Sequence, residues 1–473
     1  MAGGLLQLVA KGQQDEFISV NPDISFFKYS YKKHTNFSME SIQLTFNINP
    51  ILSSSSISSG YLCKIGRYAD LLSNLYFCYK LPDIYSSDVY KFRWINNVGS
   101  LLVKKATIIV GNVTIDTITG EWLNIYNSLI NGEDNLTNYN KLTGNVEDLI
   151  NPKMNEPRIS IKNNRFNYSF YPASIKNSNI PSIKSRDIYV PLRFWFTKVP
   201  SLALPLLKLQ YSDIYINMEI ENVENLYQVY SEDLQKYISP TYYNELYNDH
   251  INILTFVNNT AITPYIEANY IFLDNDERNE MISSAKTDYL VEQLEISSDK
   301  ILKSNNNSST IIDLNIHKHT KEIIWTAKRD DYYKFNERNN YTASIPENGN
   351  SGILDKCSII INKTNNRIEE KNADYFNIIQ PYQHHSAIPK QGIYCYSFSL
   401  FPEKVYPTGS FNTSVVSTSL QIYNRTYYNN DDINAKLTNM NKNTYTFDYI
   451  VNVYSITYNV YEIIGGVAGM KFV

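Results

Sequence analysis

Cysteine is scarce in this sequence. Cys63, Cys78, Cys357 and Cys395 are four thiols in 473 residues, with no C-x-x-C pair among them. That is too little sulfur for a disulfide scaffold of this size, so the four are read as buried thiols of a chain made in a reducing compartment. An excess of one charge is missing as well: 43 Lys and Arg face 47 Asp and Glu, for a net charge of −4, and no basic block stands out. Without a patch that tracks phosphates, direct contact with nucleic acid is not expected. Long apolar runs are absent at both ends. Met1 to Ala10 carries an apolar patch but no basic flank, and Lys11 interrupts it, which argues against a signal peptide. Ile463 to Val473 is far shorter than a membrane span and is broken by Gly465, Gly466 and Gly469, which argues against a transmembrane anchor.

Catalytic signatures are missing too. No G-x-x-x-x-G-K-[ST] loop and no G-x-S-x-G elbow occurs, so neither a phosphate-binding loop nor an α/β-hydrolase nucleophile has a seat. The glycine-rich end, Gly465 to Gly469, has no helix behind it to supply a phosphate-binding N-terminus and is read as a backbone feature. Carboxylates are plentiful, but sequence spacing shows no facing pair of the glycosidase kind. Six histidines leave few metal sets. His317 and His319 would point the same way on a strand, as in the H-x-H of jelly-roll metalloenzymes. Glu322 follows them too closely, and His384 and His385 are far downstream, so strand-end hydrogen bonding is the reading taken. His384 and His385 lie between Pro381 and Pro389 in a turn, where ring donors serve backbone carbonyls. No enzyme, metal or cofactor is expected.

Aromatic residues, by contrast, reach 14%, with 40 Tyr. Tyr, Ile, Val, Phe and Thr favour a pleated, half-buried surface and point to β structure. The abundance of Asn, Ile, Lys and Tyr is also what an AT-rich genome produces. The length exceeds one ordinary core and suits two. Short apolar runs separated by Asn, Ser, Gly and Pro recur as in an all-β sandwich. Strands are predicted near 38–48, 72–80, 101–110, 158–162, 187–197, 206–220, 251–257 and 266–273, the eight of a jelly roll. In the second half they are predicted near 288–297, 310–316, 321–328, 357–362, 393–401, 416–423 and 445–463, with one strand unplaced. Trp122, Ile125, Tyr126, Leu129 and Ile130 repeat at helical spacing between Gly120 and Ile130. A second helix opens at Asp274 with Glu277 three residues on, the logic of a capping box. Polar stretches at 131–157, 298–309 and 330–354 read as surface excursions.

The opening M-A-G-G-L-L-Q-L-V-A and N-P-D-I-S-F-F-K-Y-S-Y-K-K-H-T-N-F-S-M-E, Asn21 to Glu40, resemble the start of major capsid proteins of the nucleo-cytoplasmic large DNA viruses, phycodnavirus-like and mimivirus-like. Further similar blocks follow in the family's order: Gly120–Leu123, Pro191–Phe196, Leu202–Tyr211, Tyr270–Arg278, Tyr289–Leu294, Lys321–Trp325, Pro381–His385, Tyr396–Glu403 and the glycine-rich end. The resemblance spans essentially the whole chain. It departs from the family's commonest spelling at Lys198–Pro200 and matches only loosely around Ser73, which leaves open a minor capsid paralogue of the same fold.

The resemblance implies an all-β protein of two consecutive eight-stranded antiparallel jelly rolls with short helices in the connections. The division is an N-terminal arm 1–24, a first roll 25–274, a linking helix 275–285 and a second roll 286–473; the polar stretch 221–250 is a rival boundary. It implies a homotrimer presenting six barrels as a pseudo-hexagonal capsomer. Neighbouring capsomers, minor capsid and penton proteins, and through minor proteins an inner viral membrane, are the implied partners, in a shell assembled in the host cytoplasm. In P-L-R-F-W-F, strand alternation puts Leu192, Phe194 and Phe196 on one face and Arg193 and Trp195 on the other, the second facing the sister barrel. N-x-[ST] acceptors occur at Asn135, Asn306, Asn307, Asn340 and Asn412; the first four fall in predicted outer loops and are the candidates for glycans. Leu5, Leu6, Leu8 and Val9 precede any barrel strand and are the candidates for an inner capsid contact. The rival functions are a carbohydrate-binding β-sandwich and a jelly-roll metalloenzyme.

Overall fold

The computed structural model describes residues 3–29, 31–53, 60–87, 89–153, 158–159, 166–167, 171–176, 178–258, 263–302, 309–345, 347, 352–362, 365–425 and 448–472. The chain divides into two units, Met1–Phe37 and Ser38–Val473. The first holds two short helices, Gly3–Val9 and Asp15–Ile18, neither of which buries a residue.

The second unit contains two sets of strands that pair only among themselves. In chain order the first set is β1 (Phe37–Thr45), β2 (Tyr61–Ile65), β3 (Leu71–Leu81), β4 (Phe92–Trp94), β5 (Val103–Val110), β6 (Val113–Thr119), β7 (Arg158–Ile159), β8 (Phe166–Asn167), β9 (Arg186–Pro191), β10 (Leu204–Pro205), β11 (Ile214–Ile220), β12 (Tyr227–Ser231), β13 (Lys236–Ile238) and β14 (Tyr265–Leu273). The second is β15 (Lys286–Leu302), β16 (Thr310–Leu314), β17 (His319–Arg329), β18 (Leu354–Ile361), β19 (Asn365–Asn372), β20 (Ile393–Ser397), β21 (Phe411–Asn412), β22 (Thr418–Asn424), β23 (Tyr449–Ile464) and β24 (Val467–Met470).

Each set forms the two facing sheets of a jelly roll. The first has the order β1-β14-β3 with β9 and β10 beside β3, opposite β2-β11-β5-β6. The second has β15-β23-β17-β20 opposite β16-β22-β18-β19. The eight sandwich strands of the two rolls therefore repeat one topology, while β4, β12 and β13 form a further three-stranded sheet in the first set alone. Period-two burial builds each core: along β3, Leu75, Phe77, Tyr79 and Leu81 are buried while Asn74, Tyr76 and Lys80 face outward. At the β5–β6 hairpin, Gly111 and Asn112 both adopt positive φ, 55° and 74°, as a two-residue turn matched to strand twist requires. The core of the first roll continues into the outer face of β15-β23-β17-β20, through Ile324, Cys395, Tyr454 and Ile456. A separate core around Trp325, Leu420 and Val453 fills the second roll.

Several expectations need correction. The strand left unplaced is β19, N-N-R-I-E-E-K-N, an edge strand paired only with β18 and too polar to show an apolar period. In the first roll β2 and β6 take the places assigned to 158–162 and 251–257. Of these, Arg158–Ile159 pairs only with Phe166–Asn167 outside the roll, and Ile253–Phe256 is a 3-10 turn. P-L-R-F-W-F is not a strand throughout: β9 stops at Pro191 and Trp195–Thr197 is a 3-10 turn, so Trp195 is buried with Phe194 and Phe196. Helix is more frequent than expected, because the polar stretch after residue 131 contains the helices Glu133–Leu142 and Glu147–Ile150, and Pro240–Tyr247 adds two turns capped by Ser239. The helix after Asp274 runs Asn275–Ser283, but the Asp274 carboxylate accepts from Asn275 N and makes no capping box.

Candidate assembly surfaces

The joint between the rolls is built around one helix. Gly120–Ile130 starts where Thr119 Oγ1 accepts from Trp122 N, and it buries Trp122, Leu123, Ile125, Tyr126 and Leu129. A Cβ on Gly120 would lie 2.0 Å from Ser100 O and 2.4 Å from Val103 O, so only glycine lets the helix start so close to the helical turn Val98–Leu102 and the first residue of β5. Trp122 stacks on Tyr454 of the second roll at 5.4 Å. Trp195 meets Tyr461 at 5.1 Å, which places it against the sister barrel.

Charges cross the same joint in pairs. Lys198 of the first roll and Lys321 of the second bind the two oxygens of Glu292. Lys328 reaches Glu121 at 3.1 Å, and Arg338 reaches Glu221 at 3.5 Å. Burial pushes the Glu292 pKa up, but the two lysines outweigh it and leave the carboxyl below its ordinary value. Asp116 takes N–H donations from Thr117 and Trp195 at 2.8 and 3.2 Å. Burial still pushes its pKa up to about 7. A void of about 30 Å³ between Asp116, Arg193, Lys198 and Glu292 has room for a water. Lys198, Lys321, Lys328 and Arg338 each meet an opposite charge, and these pairs set the register of the two rolls.

Within the stretch 330–354, residues 334–345 pack at this joint and are not an outer loop. Asn336 Nδ2 donates to Glu224 O at 2.6 Å and Tyr227 O at 2.8 Å, and Lys236 Nζ to Ile345 O at 2.8 Å. Phe335 packs with Leu234, Ile238, Tyr242 and Ile345. Asn340 lies here, 6% exposed, its amide donating to Glu337 and Ser344 and accepting from Thr342. Burial corrects its placement in an outer loop and leaves a glycan no room. Asn135 is exposed, on helix Glu133–Leu142 and not in a loop. Asn306 and Asn307 lie outside the described residues.

The histidines separate. His317 and His319 are exposed, and His319 Nδ1 lies 3.4 Å from Ser410 Oγ. Glu322 turns away from them into the joint, where its carboxylate is 3.0 Å from His385 Nε2, both side chains essentially buried. Glu403 lies 3.5 Å from His385 Nδ1. Burial alone would lower the His385 pKa, but Glu322, with Cys395 and Glu403, outweighs it and holds the ring well above its ordinary 6.5. His384 ends the helical turn Gln380–His384 and meets a carbonyl as expected, Leu400 O at 3.0 Å, whereas His385 faces carboxylates where a carbonyl was expected. The His385 cluster joins residues from three separate segments, and no spacing in the sequence marks it. Among the described residues no group of three His, Cys, Asp or Glu is placed to hold a metal, and no helix is long and apolar enough to cross a membrane.

The remaining surface feature is the arm. Leu5, Leu6, Leu8 and Val9 are all more than half exposed, and Phe17, Ile18, Phe26 and Phe27 continue the apolar row.

Comparison with known proteins accounts for this architecture. Residues 25–274 match the family described as major capsid protein N-terminus, and residues 277–469 match the large eukaryotic DNA virus major capsid protein. The chain belongs to the major capsid proteins of large eukaryotic DNA viruses. It is 28% identical to the major capsid protein of Phaeocystis pouchetii virus over the whole of both chains. It is 30% identical to capsid protein 1 of Acanthamoeba polyphaga mimivirus, over 70% of this chain and 50% of that one. Among solved structures, VP54 of PBCV-1 superimposes with a TM-score of 0.68 at 23% identity, covering 95% of this chain and all of that one. The Faustovirus major capsid protein follows at 0.64 and 12%, covering 92% of each. The structural matches show the fold: a double jelly roll, as the strand order already indicates.

Proposed function

We propose that the chain assembles as a homotrimer whose six rolls form a pseudo-hexagonal capsomer, and that these capsomers tile an icosahedral shell. The observation that carries this reading is the repetition of one sandwich topology in two rolls locked by a buried joint. Two like units fixed in one chain need only a threefold operation to approximate a six-sided block, and a cyclic contact used three times closes. The PBCV-1 virus capsid provides a solved neighbour of the same fold, at a TM-score of 0.68.

The proposed division is an arm at 1–24, rolls at 25–274 and 286–473, and a linking helix between them. An arm that exposes Leu5, Leu6, Leu8 and Val9 outside any sandwich needs a partner surface. The inner rims of the capsomer, minor capsid proteins or a membrane held beneath them supply it, and penton proteins complete the shell, which assembles in the host cytoplasm. Of the glycan acceptors, exposed Asn135 remains in this reading, with Asn306 and Asn307. The test is the mass of the purified chain in solution together with its projection by negative-stain microscopy. A three-chain mass and a six-sided outline are expected; a monomer at micromolar concentration overturns the reading.

A further inference from the structure

The joint inside one chain shows how one roll grips another, and half of that grip is left unused. In the first roll the connection from β6 to β9 carries helix Gly120–Ile130, which covers the outer face of β15-β23-β17-β20. On that face Ile324 stands beside Cys395 and Tyr454 in register. Ile324 is 0% exposed and Tyr454 is 2% exposed.

The equivalent connection of the second roll, from β19 to β20, also carries helical turns, Tyr375–Ile379 and Gln380–His384. It is anchored from beneath by the His385–Glu322 pair, by Ala387 N donating to Leu129 O at 2.9 Å, and by Asn377 Nδ2 donating to Ile393 O at 2.8 Å. Its outer side is bare: Ile378, Ile379 and Tyr382, three to four residues apart, and Ile388 are exposed, Tyr382 by 78%.

The face that corresponds to the covered one is the outer side of β1-β14-β3-β9 in the first roll. There Tyr265, Cys78 and Tyr189 form one row across three strands, and Glu267, Tyr76 and Pro191 form the next. Ser41 Oγ on β1 donates to Glu267 at 2.8 Å, and Met39 stands 54% exposed beside it. Tyrosines and a methionine on an outer sheet face suit a buried contact, which favours Tyr and Met and disfavours unpaired charge.

We propose that the 373–392 connection docks on the outer β1-β14-β3-β9 face of a second copy of this chain, repeating between chains the contact that Gly120–Ile130 makes within one. The inference rests on the homotrimer reading and adds the surface through which the trimer closes. One patch lies on each roll, so the contact is heterologous and closes after three copies. Ile378, Ile379 and Tyr382 take the places of Trp122, Ile125 and Tyr126 as the apolar anchor, and Glu267 stays paired to Ser41 at the contact.

The test compares four proteins by mass against dilution: the natural chain, Ile379→Glu with Tyr382→Glu, Met39→Glu, and the control Ile311→Glu, which alters an exposed residue on the opposite sheet of the second roll. Charges placed in the centre of the contact are expected to weaken trimer association on the order of a hundredfold or more, while the control stays trimeric. A natural trimer whose Ile379/Tyr382 and Met39 variants remain trimeric with unchanged dilution behaviour overturns this contact and leaves the trimer standing. A natural chain that is monomeric overturns both. Should the variants not fold, hydroxyl-radical footprinting of the natural trimer decides: Tyr382 and Met39 are expected to be as slow as Tyr270, buried within the chain. Oxidation of Tyr382 at the rate of a free tyrosine peptide refutes the proposal.

Discussion

Glu292 is the residue on which the two rolls depend most sharply, because its carboxylate answers a lysine from each of them. Replacing Glu292 with Ala leaves Lys198 and Lys321 facing each other in a buried joint. Loss of one partner of a buried ion pair costs about 3–5 kcal/mol, so the expected outcome is a clear drop in the denaturant midpoint. Glu292→Ala with Lys198→Met is expected to recover part of it. The pH dependence follows from signs. The folded pKa of Glu292 and that of Glu403 lie below their ordinary values, so their contribution is present above the ordinary carboxylate range and lost as pH falls through the folded values. His385 is raised, so its contribution is complete below 6.5 and lost as pH rises through its folded value. Asp116, raised to about 7, adds a decline in stability between its ordinary 3.8 and about 7. Melting temperature should therefore peak in mild acid, at roughly pH 5–6, and His385→Gln should flatten the alkaline decline. A profile rising steadily to pH 9 contradicts these assignments. The four cysteines are free and buried, and burial pushes Cys63, Cys78 and Cys357 up to about 12. Reductant should leave the melting temperature unchanged.

At the scale of single elements, helix Gly120–Ile130 tests how the joint is made. Gly120→Ala forces a methyl group into two backbone carbonyls that cannot yield without moving β5. Trp122→Ala removes the ring stacked on Tyr454 and should cost about 3–5 kcal/mol, measured by chemical denaturation. This helix was legible in the sequence to the residue, because Trp122, Ile125, Tyr126 and Leu129 keep a helical period between two strands. The long core strands β3, β5, β14, β17 and β23 were legible for a similar reason: alternating or continuous apolar residues survive wherever a strand is central. β19 was not, since a polar edge strand is set by its neighbour β18 and not by its own side chains. The stretch 330–354 misled in the opposite direction. Its Asn, Glu and Arg residues look like solvent-facing loop, yet Asn336 and Asn340 are buried in the joint and donate to the carbonyls of Glu224, Tyr227 and Ser344. The His385 cluster was invisible because it joins residues from β17, the 373–392 connection and the Glu403 turn. Only the fold brings them together.

At the scale of the whole molecule, the arm and the trimer contact carry assembly. Deleting residues 2–20 removes side chains that bury nothing within their own unit. Both rolls should fold and associate as before, with incorporation into shells impaired. Unfolding of the deletion variant would mean the arm completes a core, and undiminished assembly would remove its contact role. Association itself should be robust, since permanent interfaces of this class bury more than about 2,000 Å²; mild denaturant should then dissolve trimer and fold in one step. The most direct test is the solution mass of the natural chain across a dilution series from micromolar to nanomolar. Three copies of the 54.7 kDa chain at every concentration is the predicted result, and a folded monomer at micromolar concentration would contradict the account.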